Sequence, residues 1–319
     1  MTQGVNSYHI KRIAGRKAFS LLKFVFICCV CYLFLFPLLY LVVSAIQDPT
    51  AAKDQNSVWI PQVLTLSNFK NAIELMNYGK SFGLSMIISI LGTLATLISC
   101  SMAGYGLARF DFAEKKIAFT LVLILIVVPP QTTAMSVFLN YRFFNPLGLV
   151  SLFAPITGNE NINMIGSPAT MILPAIFADG IRSGLSIFIF RQFFLGQPKE
   201  LEEAAMIDGC SIFSTYRKIM LPLSSPAIIT VSVFSFVWYW NDSFYSTMFF
   251  TKENSPVAAQ ISFLRNTFLE TATSGDYTVQ EQKAILAAAA LLCVIPPLIL
   301  YCIIQRKFSE SIERTGIVG

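Results

Sequence analysis

Apolar residues in this chain gather into six runs, roughly 24 to 46, 82 to 108, 117 to 139, 169 to 194, 221 to 249 and 284 to 304, with polar segments between them. A helix needs about 20 apolar residues to cross the hydrocarbon core of a bilayer, and each run meets that length. Only helices and closed barrels satisfy the backbone in lipid, so the runs predict an all-α polytopic membrane protein with six transmembrane helices. Pro37, Pro129, Pro130, Pro174, Pro226, Pro296 and Pro297 fall in the runs or at their ends. Several helices are therefore expected to bend and to rely on neighbours for the carbonyls that proline leaves free. Gly92, Thr96, Cys100 and Gly104 recur every four residues along the second run and predict a stripe for close helix approach.

Composition agrees with the pattern: of 319 residues, 55% are hydrophobic and 13% charged, about half the charged share of a soluble domain. The net charge of +5 does not point to nucleic acid, because its one basic cluster (Lys11, Arg12, Arg16, Lys17, Lys23) stands directly before the first apolar run, where it reads as a topology signal. Counted over alternate polar segments, fifteen Lys/Arg fall on the two tails and the second and fourth loops (Arg191 taken with the fourth), against seven on the other loops. Both termini are thus expected in the cytoplasm. The start of the chain resembles a secretory signal, with Val43-Ser44-Ala45 at a cleavage position, but the run from 24 to 46 exceeds the roughly 7–15 residues of a signal's apolar region and is read as a retained first span. The seven cysteines lack ligand spacing and lie mostly inside apolar runs, where cysteine behaves as a small hydrophobe. No metal site is expected.

Enzyme motifs fail on inspection. Gly79-Lys80-Ser81 ends like a phosphate-binding loop, but Glu74 stands where that pattern needs glycine. His9 is the only histidine, which excludes an HExxH zinc site and any histidine-based triad. No catalytic residues are assigned.

The fourth loop, 196 to 222, carries more information. Pro198 at a helix start, followed by Glu200, Glu202 and Glu203, is favourable N-terminal chemistry. Ala204 and Ala205 add little bulk, Gly209 permits a reversal, and Ser211 can cap a second helix running to Pro222. A short helix, a sharp turn and another helix at the membrane surface suit either a partner's docking site or an ordinary interfacial helix.

Glu203-Ala204-Ala205, three residues, Gly209, nine residues, Ile219, one residue and Leu221-Pro222 together resemble the EAA loop of ABC importer permeases. Ala103-Gly104-Tyr105-Gly106-Leu107-Ala108-Arg109-Phe110, Trp240-Asn241-Asp242 and Gln305-Arg306-Lys307-Phe308 are similar, in order, to segments of the carbohydrate-uptake branch, the maltose-type inner-membrane permeases. The resemblance implies a type I ABC importer transmembrane fold in a bacterial cytoplasmic membrane. It divides the chain into a cytoplasmic tail (1–23), a first helix (24–46), an extracytoplasmic loop (47–80), a permease core (81–304) with its coupling loop (196–222), and a C-terminal tail (305–319). Its implied partners are an ABC ATPase dimer that holds ATP and magnesium, a second and different permease, an extracytoplasmic solute-binding protein, a sugar, and membrane lipid. This chain itself would bind no cofactor. Glu203 and Asp208 would be polar contacts to the ATPase, Ala204 and Ala205 would allow close approach, and Gly209 would make the turn, with Ile219, Leu221 and Pro222 completing the loop. The segment from 145 to 167, containing Asn145-Pro-Leu-Gly and Gly158-Asn-Glu-Asn-Ile-Asn, is longer than that pattern and is expected to modify receptor contacts.

For the solute pathway, Asp179 and Arg182 are three apart in the fourth run, a spacing that lets them pair on one helix face. They either line a polar pathway or sit at the interface. Trp240, Asn241 and Asp242 are further candidates, since sugars stack on aromatic rings and hydrogen-bond to amides and carboxylates; Trp238 reads as part of an interfacial aromatic belt. The mechanism implied is ATP-driven alternating access. A permease for a non-sugar solute, an ion-coupled secondary transporter and a membrane-bound assembly factor are the alternatives, although no internal repeat supports the second.

Overall fold

The computed structural model describes residues 3–50, 63–152, 160–270 and 277–316. Helices dominate, and among the described residues β pairing is limited to isolated bridges such as Gln47 with Leu64 and Phe144 with Ile162. Residues 153–159, which include Gly158 and Asn159 of the long loop, lie outside the described residues. The chain divides into two compact units, Met1–Ala72 with Ser274–Leu291, and Ile73–Thr273 with Leu292–Gly319.

In the first unit, α1 (Gln3–Ile46) is a single helix of 44 residues, so the basic tail expected before the first span continues its helix from Gln3 onward. Its stretch Phe19–Ile46 is long and apolar enough to cross a membrane, and most of its large side chains from Phe19 to Tyr40 are exposed. The last carbonyls of a helix lack partners within it. Here Asn68, on α2 (Ser67–Leu75), supplies them: its Nδ2 donates to the carbonyls of Ala45 and Gln47, each at 2.9 Å. The start of α12 (Val279–Gly316) is closed by a capping box, in which the Glu281 carboxylate accepts from the Thr278 N–H at 2.7 Å and Thr278 Oγ1 accepts from the Glu281 N–H at 3.3 Å.

The second unit is organised around α3 (Tyr78–Arg109). Packed on it are α6 (Ala169–Ile176), α7 (Ser183–Leu195) and α9 (Ser225–Asn241). The small-residue stripe is what admits them. A β-carbon added to Gly104 would stand 2.7 Å from Phe190 Cβ, and one on Gly92 would stand 2.9 Å from the Tyr239 ring, both shorter than carbon atoms tolerate. Thr96 and Cys100 between them are fully buried. Two apolar clusters follow the helix. One joins Tyr105, Val122, Ile187, Phe190, Phe194 and Met220; the other joins Ile88, Tyr141, Met171, Ala175, Tyr239 and Phe249.

Six uninterrupted spans are not what the described residues contain. Three stretches are long and apolar enough by themselves, Phe19–Ile46, Tyr78–Arg109 and Val279–Gln305, and a fourth arises if Ile212–Leu223 and Ser225–Asn241, bent by 77°, count as one. The third apolar run is split into α4 (Lys115–Val127) and α5 (Ala134–Arg142) at Pro129-Pro130, where two donors are missing in succession. The fourth is split between α6 and α7. The fifth ends at Asn241, and α10 (Phe244–Phe249) follows before α11 (Val257–Glu270). Run length in sequence reports apolarity, and apolarity does not register a break that neighbouring helices cover.

Candidate functional site

The loop after α7 folds as α8 (Glu200–Ile207), a turn, and a short helical segment from Ile212 to Leu223. Glu200, Glu202 and Glu203 occupy the first turn of α8, where carboxylates oppose the helix dipole. Its end is a Schellman motif: the Cys210 N–H donates to Ala205 O at 2.9 Å and the Gly209 N–H to Met206 O at 3.0 Å. Gly209 has φ of +80°, the left-handed conformation that the motif requires. Ser211 caps the next turn, its Oγ accepting from the Ser214 N–H at 3.3 Å. A π-turn over Tyr216–Met220 and the proline pair Pro222 and Pro226 then turn the chain into α9.

Of the residues expected to dock a partner, Glu203, Ala204, Asp208 and Gly209 are exposed, together with Pro222. Ala205 is buried, and Ile219 and Leu221 pack half-buried against the cluster around Phe190 and Met220. The exposed face is apolar at its tip, with Ile207 86% exposed and Met206, Ile212 and Phe213 at least half exposed. Sequence reasoning missed what fixes this face in place. Glu202 turns inward, and its Oε1 stands 3.3 Å from Nε of Arg109, the two side chains only 11% and 4% exposed. Arg109 Nη2 also donates to Gln197 O at 2.8 Å. On the far side of the loop, the Ser101 and Tyr216 hydroxyls share a hydrogen bond at 2.7 Å. Thus α3 holds the loop at both ends. The available signal was Glu202 standing three residues before Ala205, hence on one face of α8.

The pathway candidates are scattered in role. Residues 177–182 form a break between α6 and α7, with Ala178 at φ 59° and Arg182 at φ 54°, a conformation costing about 1–3 kcal/mol each in non-glycine residues. Because these residues are not helical, the expected pairing of Asp179 with Arg182 does not form. The Arg182 guanidinium instead stands over Trp238, 5.2 Å from its ring centroid. Asp179 and Asn241 are exposed. Asp242 caps α10, its Oδ2 accepting from the Ser246 N–H at 2.9 Å. Trp240 is fully buried and donates from Nε1 to Cys293 O at 2.8 Å, with Phe82 and Phe236 against its ring; this is a packing position. The break is held by Tyr239, whose Oη accepts from the Ile181 N–H at 3.3 Å and leaves Gly180 no room for a side chain.

Broken apolar helices packed on a central α3, with one short helix held outside them, make a polytopic membrane component. Residues 95–314, more than half of the chain, match the family described as the binding-protein-dependent transport system inner membrane component, and the chain belongs to that family of ABC transporter permeases. It is 30% identical over 293 residues to the arabinooligosaccharides transport system permease protein AraQ of Halalkalibacterium halodurans, covering 91% of this chain and 93% of the relative. Its fold is that of a chain from a bacterial ABC transporter involved in the import of the acidic polysaccharide alginate, with TM-score 0.70, 18% identity and coverage of 92% and 98%. A second alginate ABC transporter structure, in complex with alginate pentasaccharide-bound periplasmic protein, superposes with TM-score 0.52 at 15% identity, over 92% of this chain and 96% of that one.

Proposed function

We propose that this chain is one permease subunit of an ATP-driven importer that carries an oligosaccharide or similar sugar across a bacterial cytoplasmic membrane. The observation that carries the reading is the exposed apolar tip of α8 and the turn after it, fixed from behind by a buried ion pair, in a chain of the binding-protein-dependent family. An apolar tip of that kind is costly in water unless something covers it. An ABC ATPase dimer, with ATP and magnesium in its own sites, is the covering partner, and Glu203, Ala204, Asp208 and Gly209 are the contact residues. A second permease and an extracytoplasmic solute-binding protein complete the assembly. The sugar assignment draws on the names of the arabinooligosaccharide relative and the alginate transporters. Six crossings with both termini in the cytoplasm remain the proposed topology, in which segments 117–139 and 169–194 cross as broken helices. Alternating access moves the solute past Asp179, Arg182 and Asn241.

Purification of the tagged chain from its native membrane tests this. The expected result is recovery of an ATPase, a second permease and a solute-binding protein, with the ATPase lost from a Gly209→Trp variant. Recovery of the chain alone, transporting under an ion gradient, would overturn the reading.

A further inference from the structure

Movement of α8 has few routes into the membrane core. Of its residues only Glu202 and Ala205 are buried. Ala205 offers a methyl group, which lets surfaces slide. Glu202 offers a charge, and that charge meets Arg109, the last residue of α3. The same guanidinium grips the turn leading into α8 through Gln197 O, so one planar group ties the helix and its approach to α3. Two charges buried together separate only by leaving each other uncompensated. Behind Arg109, α3 is the helix on which α6, α7 and α9 all pack.

We infer that the Arg109–Glu202 ion pair is the joint that carries displacement of α8 into α3, and that these two positioning residues set how much solute moves for each ATP hydrolysed. The inference rests on the proposed function, because it needs α8 to be the element the ATPase moves. Both side chains lie behind the exposed docking face, whose turn is shaped by its own Cys210 to Ala205 and Gly209 to Met206 backbone bonds, so loss of the joint is separable from loss of docking.

The test uses the complete complex in proteoliposomes with its solute-binding protein. Labelled arabinotriose, raffinose and an alginate oligosaccharide are supplied in turn, and uptake and ATP hydrolysis are measured on the same vesicles. For whichever probe the wild type accumulates, Glu202→Gln is expected to retain a full complement of ATPase while solute moved per ATP falls at least about tenfold, because the Arg109 charge is left buried without its counter-charge. Arg109→Lys, which keeps the charge and gives up the planar grip, is expected to lower the same ratio less, and it serves where the glutamine variant does not reach the membrane. A wild-type ratio in the assembled variant overturns the inference, as does a fall in uptake matched by an equal fall in bound ATPase. If the wild-type complex accumulates none of the probes on ATP, the proposed function itself fails and the inference with it.

Discussion

Two glycines on α3, two residues apart, give opposite expectations for the same change. Gly104 has Phe190 Cβ within 2.7 Å of where its own β-carbon would lie, whereas Gly106 has nothing nearer than a Phe110 ring atom at 3.9 Å. Gly104→Ala is expected to destabilise the bundle by about 1–3 kcal/mol through overpacking, and Gly106→Ala to be neutral or stabilising by up to about 1 kcal/mol through helix propensity; thermal unfolding in detergent separates them. At Gly209, φ of +80° makes Gly209→Ala unfavourable by about 1–2 kcal/mol, so the chain should reach the membrane normally but retain less ATPase on purification. Both glycines were legible in the sequence, one from its four-residue spacing with Cys100 and the other from its place after a short helix. Glu202 was not. Three glutamates crowd the start of α8, and only the packed structure distinguishes Glu202, which turns toward Arg109, from Glu203, which faces out.

For whole elements, the apolar pattern located α3 to α7, α9 and α10 but misjudged continuity, and it missed α11, which lies between the fifth and sixth runs. The breaks at Pro129-Pro130 and at 177–182 both fall inside runs apolar enough to read as single spans. A doubled proline announces the first. The second depends on Tyr239, contributed from α9, whose hydroxyl substitutes for a helical carbonyl by accepting from Ile181; no local sequence feature records a partner so distant along the chain. Tyr239→Phe removes that acceptor and should weaken the segment by about 1 kcal/mol, read as faster hydrogen exchange of the amides from 177 to 182 against unchanged exchange in α3. The expected pairing of Asp179 with Arg182 failed for the same reason, since a spacing of three places two residues together only where the backbone is helical.

In the whole molecule, the residues proposed for the solute pathway differ in how they are packed. Trp240 is occupied by its bond to Cys293, and Asp242 by the cap of α10. Asp179 and Asn241 stay exposed and unassigned to packing. Asn241→Leu and Asp179→Asn are therefore expected to reduce uptake severalfold with the complex assembled to its normal level, whereas Trp240→Leu should lower the amount of folded chain; membrane yield and vesicle uptake, measured together, check all three. The break between α6 and α7 also bears on how the chain is made. At about 1.5 Å per residue, the 13 residues of α7 reach about 20 Å, short of the ~30 Å of hydrocarbon, and the uncoiled residues before it carry backbone groups that lipid does not solvate. Released alone from the translocon, this segment has no stable place in the bilayer. Its stable insertion is therefore expected to depend on α9, which supplies the Tyr239 acceptor for Ile181.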